Sequence, residues 1–181
     1  MKQPRPRAAF SWQNASAFAA FKHRHQLRKD GRTPYYSHVA RVALTVAGVF
    51  ECADEIALAT AFLHDTIEDT TTDYDDIADF FGTDVARCVA ALTKNMAIPE
   101  AQREDEYFER LIEAPWQARL VKLADVLDNL CDVATYPLAE RAKHKRKTIA
   151  RAKHALELVR SDDPAPLHRA AAAVKRLLKS A

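Results

Sequence analysis

Apolar residues along the chain recur at intervals of three and four rather than two, and this helical period persists almost from end to end. Ser11, Ser37, Asp54, Asp73 and Thr83 stand before periodic runs, where a side-chain oxygen can accept from the free amides of a first helical turn. Pro115 suits a first helical position. The pattern predicts helices near 11–28, 37–50, 54–69, 73–81, 83–93, 103–113, 115–135, 138–160 and 165–179. Gly82 suits a helix end, and Lys94 to Arg103 reads as a loop containing Pro99. With only three glycines and no alternating runs, strands are not expected. The expected fold class is all-α, without internal repeats.

Composition narrows this little. At 181 residues the chain has the length of one ordinary domain. The expected division is a flexible tail over 1–10, followed by a single domain over 11–181. Apolar residues make up 48% and charged residues 29%, as in a soluble protein, and no stretch reaches the roughly 18 apolar residues of a membrane span. The opening MKQPRPRAAFSW lacks the apolar centre of a secretory signal. Cys52, Cys88 and Cys131 form no CxxC pair and sit among apolar neighbours, which suggests a reducing, cytoplasmic setting.

Charge adds an asymmetry. Residues 138 to 181 hold 12 Lys or Arg against 4 Asp or Glu, so the first 137 carry 15 against 21. The front is acidic and the tail basic. Ala-Lys-His recurs at 142–144 and 152–154 with Lys145, Arg146, Lys147 and Arg151 between, either as a solvated cationic face or as a turn that reaches a polyanionic ligand.

The candidate chemistry begins where the nearly all-apolar run Ile56 to Leu63 meets His64, Asp65, Thr66, Ile67, Glu68 and Asp69. On one continuous helix, His64 with Glu68 and Asp65 with Asp69 would occupy adjoining strips of a single face. Like charges packed beside a core are costly unless a cation or a water-filled cleft compensates, so a metal is the simplest resolution. The alternative is an acidic helix end emerging into solvent. His38 near a helix start, and Lys122, Asp125 and Asn129 at i, i+3 and i+7, are able to face the same cleft; alone they would read as surface groups. Tyr35 and Tyr36 suit loop packing or stacking on a base, and His23 and His25, two apart, point to different sides of a helix.

The segments RKDGRTPYYSHVARVA (28–43), AFLHDTIEDTTTDYDDIADFFGTDVARCVAALTK (61–94) and VKLADVLDN (121–129) resemble, in order and spacing, the three signatures of the HD-superfamily hydrolase domain shared by RelA/SpoT enzymes and small alarmone hydrolases. The resemblance covers roughly residues 15 to 135. It implies a helical HD-domain bundle with a metal site in a central cleft, formed by His38, His64, Asp65 and Asp125. In the family the ion is usually Mn²⁺, which a mixed imidazole and carboxylate set suits, though other divalent metals fit too. It further implies Glu68 and Asp69 as the pair that orients and deprotonates the attacking water, and Arg28, Lys29 and Asn129 as nucleotide contacts. The implied activity is removal of the 3′ pyrophosphate from guanosine tetraphosphate or pentaphosphate, giving GDP or GTP. The length leaves no room for the synthetase domain of the family's long members.

The sequence also departs from the family. Val39 follows His38 in place of the usual proline, and Val126-Leu127-Asp128 stands where Arg-Leu-His or Lys-Leu-Tyr is common. Together with Cys131, these residues are expected to alter the nucleotide wall and weaken discrimination between guanosine and adenosine forms. Three rivals stay open: an adenosine-alarmone hydrolase, an HD-type nucleotide phosphohydrolase such as a 5′-nucleotidase, and a non-specific nucleic-acid-binding module. No helix-turn-helix or zinc signature favours the last, so no specific nucleic acid and no membrane is expected as partner.

Overall fold

The computed structural model describes residues 11–180, apart from the side chains of Glu100 and Ala101. The tail expected over 1–10 lies outside the described residues. The chain runs through α1 (Ser11–Lys22), α2 (Tyr36–Leu44), α3 (Glu55–Leu63), a short α4 (Thr66–Asp69), α5 (Tyr74–Phe81), α6 (Thr83–Leu92), α7 (Glu100–Ile112), α8 (Trp116–Asp132), α9 (Leu138–Ala155) and α10 (Ala165–Ser180). Among the described residues, the only β-type pairing is an antiparallel bridge between Leu27 and Pro34.

The centre is built from α3 and α8, with α2 packed against both. Ala57, Ala61, Leu120, Leu123 and Ala124 are fully buried there. Burial of side chains of this size contributes roughly 1.5–3 kcal/mol for each leucine. On one flank α1 lays Ala15 and Ala19 against α3, and the α5–α6 hairpin adds Ile77, Val85 and Val89. On the other, α9 and α10 cover α8. The buried Arg119 ties these layers, donating to the Leu158 carbonyl at 2.7 Å and bidentately to Asp163 at 2.6 and 2.7 Å.

Local chemistry explains where the helices start and stop. Asp54 caps α3 through the Ala57 amide at 2.8 Å, and Asp73 caps α5 in a reciprocal box with Asp76. Ser37 and Thr83 do not cap; Tyr35 and Gly82 hold those positions without side-chain bonds. The helix expected over 11–28 ends at Lys22, because Asp30-Gly31, a turn-forming pair that the helical reading passed over, closes a hairpin. Gly31 takes φ +69°, Asp30 accepts from the Arg32 and Thr33 amides, and Arg28 N donates to the Thr33 carbonyl at 2.8 Å. The helix expected over 37–50 loosens into a π segment at Thr45–Val49.

The helix expected over 54–69 is interrupted at His64 and Asp65. Thr66 Oγ1 donates to the Leu63 carbonyl at 2.6 Å, and Asp65 sits at φ −101°, ψ 0°. Such local side-chain bonds compete with the helical ladder. The single-face arrangement of His64, Asp65, Glu68 and Asp69 is therefore replaced by two segments meeting at a turn.

Candidate metal centre

Three elements converge at that turn. His38 comes from the first turn of α2, His64 and Asp65 from the α3–α4 junction, and Asp125 from the middle of α8. His38 Nε2 lies 3.4 Å from Asp125 Oδ1 and 3.6 Å from Asp65 Oδ2. His64 Nε2 lies 3.1 Å from Asp65 Oδ2 and 4.0 Å from Asp125 Oδ1. Donors around one ion with bonds of about 2.0–2.2 Å stand at such separations.

The imidazoles are oriented for ligation. His64 Nδ1 donates to the Ala61 carbonyl at 2.9 Å, which leaves the buried Nε2 without a hydrogen-bond partner and with its lone pair toward the carboxylates. A buried polar atom left unsatisfied is costly unless a partner from outside the protein, such as an ion or a water, meets it. Two imidazole nitrogens and two carboxylates suit a divalent cation such as Mn²⁺, so the residues fit the metal that the family resemblance implies.

The electrostatics agree with a cation site. Burial raises the Asp65 and Asp125 pKa values, but the positive neighbours reverse this: His64 holds Asp65, and Lys122 with His38 holds Asp125, below the usual carboxylate range. Burial would lower the His64 pKa, yet Asp65 and Asp125 raise it to about 9 in the absence of metal. Further contacts hold the carboxylates in place. Tyr35 Oη donates to Asp65 Oδ2 at 2.5 Å, Asn129 Nδ2 to Asp125 Oδ1 at 2.5 Å, and Lys122 Nζ to Asp125 Oδ2 at 2.9 Å.

Glu68 and Asp69 sit on α4 beside this cluster, and both line the same cavity, whose volume is about 150 Å³. Neither belongs to the tight group of donors formed by His38, His64 and Asp65. Burial, followed for Asp69 by the charge of Asp65, raises both pKa values, as a proton acceptor working near neutrality requires. Arg28 reaches the cavity from the hairpin, donating to Asp132 at 2.8 Å and to Asn129 at 3.0 Å. Lys29 is exposed and does not line the cavity.

The departures from the family pattern sit elsewhere than expected. Val126, Asp128 and Cys131 do not line the cavity. Val126 is buried in the core, Cys131 is exposed, and Asp128 stands behind His38, accepting from its Nδ1 at 2.7 Å. They form no part of this cavity's wall, so its lining gives no support to the weakened base discrimination expected from them.

Several contributors were missed. Lys94, which reads in sequence only as part of a loop, and Tyr107 line the cavity, together with Arg151 from the basic run whose reach toward a polyanion the sequence left open. A wider cleft of about 560 Å³, shared through Glu68, Lys94 and Arg151, continues outward past Arg103, Lys147 and His154. Part of the basic α9 thus lines the cleft while the rest faces solvent. The recurring Ala-Lys-His spacing was the available signal for this. Asp128 had a signal as well, its position three residues after Asp125 on the same helix.

Comparison with known proteins gives a consistent result. The HD domain family matches residues 15–156. A guanosine-3′,5′-bis(diphosphate) 3′-pyrophosphohydrolase of Danio rerio is 43% identical over 117 residues, which are 64% of this chain and 65% of that protein. The corresponding Homo sapiens protein is 42% identical over 123 residues, 66% of this chain and 67% of its own length. The match thus spans about two thirds of these relatives. In Aquifex aeolicus, a protein of the same description is 36% identical over 147 residues, 80% of this chain but only 21% of its own. Among solved structures, a metazoan SpoT ortholog described as hydrolysing ppGpp superposes with a TM-score of 0.79 at 30% identity, covering 96% of this chain and 98% of that one. A Listeria monocytogenes protein gives 0.60 at 28% identity, covering 81% and 96%.

Proposed function

Because this chain belongs to the HD domain family, we propose that it is a metal-dependent phosphohydrolase that cleaves the 3′ pyrophosphate from guanosine tetraphosphate or pentaphosphate, leaving GDP or GTP. The observation that carries the reading is the meeting of His38, His64, Asp65 and Asp125 at the floor of a cavity that also holds Glu68 and Asp69 and opens into a cationic cleft. Mn²⁺ is the proposed ion, held by those four residues. When bound, it supplies Lewis acidity, lowering the pKa of water and neutralising charge on the phosphate.

The protein's own groups have separable tasks. Glu68 and Asp69 orient the attacking water and accept its proton, which their raised pKa values favour. Asn129, held between Arg28 and Asp125, offers its amide to the nucleoside. Arg28 lies 5.5 Å from the Tyr35 ring centre, so its guanidinium is kept at the cavity edge, where it meets phosphate or base. Lys29 is the weakest assignment by position and would act only by swinging in from the hairpin.

Size supports a substrate charged at both ends. The inner cavity is smaller than the roughly 300 Å³ at which ligand pockets begin, so a nucleoside carrying two diphosphates must extend into the outer cleft. Lys94, Lys147 and Arg151 there provide positive charge for the second phosphate group. A nucleoside monophosphate would leave that cleft unused.

The test is product identity. With Mn²⁺, the purified protein is expected to release pyrophosphate from guanosine tetraphosphate much faster than orthophosphate from GMP or dAMP, as followed by ion-exchange chromatography. Arg28→Ala is expected to raise KM more than it lowers kcat. Orthophosphate from simple monophosphates, with no pyrophosphate from guanosine or adenosine alarmones, would replace this reading with a 5′-nucleotidase.

A further inference from the structure

The two histidines of the cluster are held by different means. His64 Nδ1 donates to a neutral backbone carbonyl, that of Ala61. His38 Nδ1 is 2.7 Å from the buried carboxylate of Asp128, which is an acceptor only, so Nδ1 carries the proton and donates. Nε2 is then left to face Asp65 and Asp125.

Asp128 is itself immobilised. Arg41, one turn after His38 on α2, donates from Nε to Asp128 Oδ1 at 2.6 Å and from NH2 to Oδ2 at 2.9 Å. Such a two-pronged guanidinium–carboxylate pair fixes orientation as well as position. The same Arg41 NH2 is 3.4 Å from Asp132, and Asp132 is gripped by Arg28. A continuous polar string thus runs from the hairpin through α8 to α2 and ends on one ring nitrogen of His38. Neither Asp128 nor the half-exposed Arg41 lines the cavity; both border a separate cleft instead.

We propose that Asp128, clamped by Arg41, is a positioning residue that holds His38 in the Nδ1–H form with Nε2 turned into the metal cluster. The inference rests on the metal reading above. It goes beyond that reading by giving a task to two residues that line no part of the cavity. A carboxylate accepting from the far nitrogen of a ligating imidazole fixes the ring and strengthens it as a donor, and losing such a partner typically weakens metal affinity by roughly 10–100-fold. A plain ion pair between α2 and α8 would make no such demand on the metal.

The experiment is calorimetric titration of Mn²⁺ into the chelator-stripped full chain, as wild type, Asp128→Asn and Arg41→Gln, with thermal unfolding of each metal-free form as a control. Asp128→Asn keeps the shape of the side chain but removes its charge and permits the wrong tautomer of His38. It is expected to raise the Mn²⁺ dissociation constant by roughly 10–100-fold. Arg41→Gln is expected to move the constant the same way by a smaller factor. Turnover by Asp128→Asn at stoichiometric Mn²⁺ should fall and then return toward the wild-type kcat in excess Mn²⁺, with KM for guanosine tetraphosphate unchanged. A folded Asp128→Asn protein that binds Mn²⁺ as tightly as wild type, or whose lost turnover excess metal does not restore, overturns the proposal. If Asp128→Asn does not fold, Arg41→Gln decides alone, and an unchanged dissociation constant there overturns it. Failure of the wild type to bind Mn²⁺ at all would instead sink the metal reading, an outcome distinct from equal binding by all three proteins.

Discussion

In the metal-free protein His64 reports on its own surroundings. Burial alone would make this imidazole a weaker base, but the charges of Asp65 and Asp125 raise its pKa from 6.5 to about 9. Between those two values the folded protein keeps a proton that the unfolded chain has released. The folded state binds one proton more, so stability falls by about 1.4 kcal/mol per pH unit across that window. The stabilisation is fully present below pH 6.5 and is lost as the pH climbs toward 9. From pH 7 to 8.5 the loss from His64 is about 2 kcal/mol. His38, whose pKa is also raised, steepens it. For a chain of this size that corresponds to a fall in Tm of roughly 4–8 °C.

The assay is thermal unfolding followed by circular dichroism in the presence of a chelator. Stopping at pH 8.5 avoids the cysteines, since burial raises Cys52, Cys88 and Cys131 above their ordinary value of 9.0. Replacing His64 by Gln should flatten the slope. Metal loading should reverse it, because ligation requires neutral imidazoles and so strengthens as protons become scarcer. A metal-free Tm that stays flat or rises between pH 7 and 8.5 would refute the electrostatic account of the cluster, and an unchanged slope in His64→Gln would assign the proton to another group.

The same packing sets three further outcomes. Glu68→Gln and Asp69→Asn should retain Mn²⁺ in calorimetry while each lowers kcat by roughly 10²–10⁴-fold; near wild-type turnover in both would make these carboxylates structural. Asp163→Asn should cost about 3–5 kcal/mol in urea unfolding at neutral pH, since it strands the buried Arg119 guanidinium, and a loss under about 1 kcal/mol would show that water reaches that site. Asp54→Ala should cost about 1 kcal/mol by the same measurement through loss of the α3 cap, with no cost expected only if another group takes the Ala57 amide.

Much of the fold was legible because helical periodicity is local. The apolar intervals of α3 and α8 announce a buried stripe whatever partner covers it, and the caps at Asp54 and Asp73 concern amides only three residues away. Where a second local signal competed, the periodicity misled. Asp30-Gly31 closed a hairpin that drew Leu27 and Arg28 out of an expected helix, and Thr66 broke the helix that was to carry His64 and Glu68 on one face. The HD-T-x-E-D-T segment was specific enough to point to the HD domain family, and the two halves of the candidate centre, His64-Asp65 and Asp125, could be named from their motifs.

What joins them was not written locally. His38 and Asp128 are ninety positions apart and meet only because α2 crosses α8 at that level, which turns a residue read as part of a nucleotide wall into the partner of a histidine in the candidate centre. Lys94, Lys147 and Arg151 likewise share a cleft through the packing of α7 and α9 against α8, although Lys94 reads in sequence only as a loop residue and Lys147 and Arg151 read equally as a solvated face. The sequence determined which residues are able to ligate, accept a proton or carry charge. The tertiary packing decided which of them face one another, because that depends on the crossing angles and rotations of whole helices rather than on spacing within any one of them.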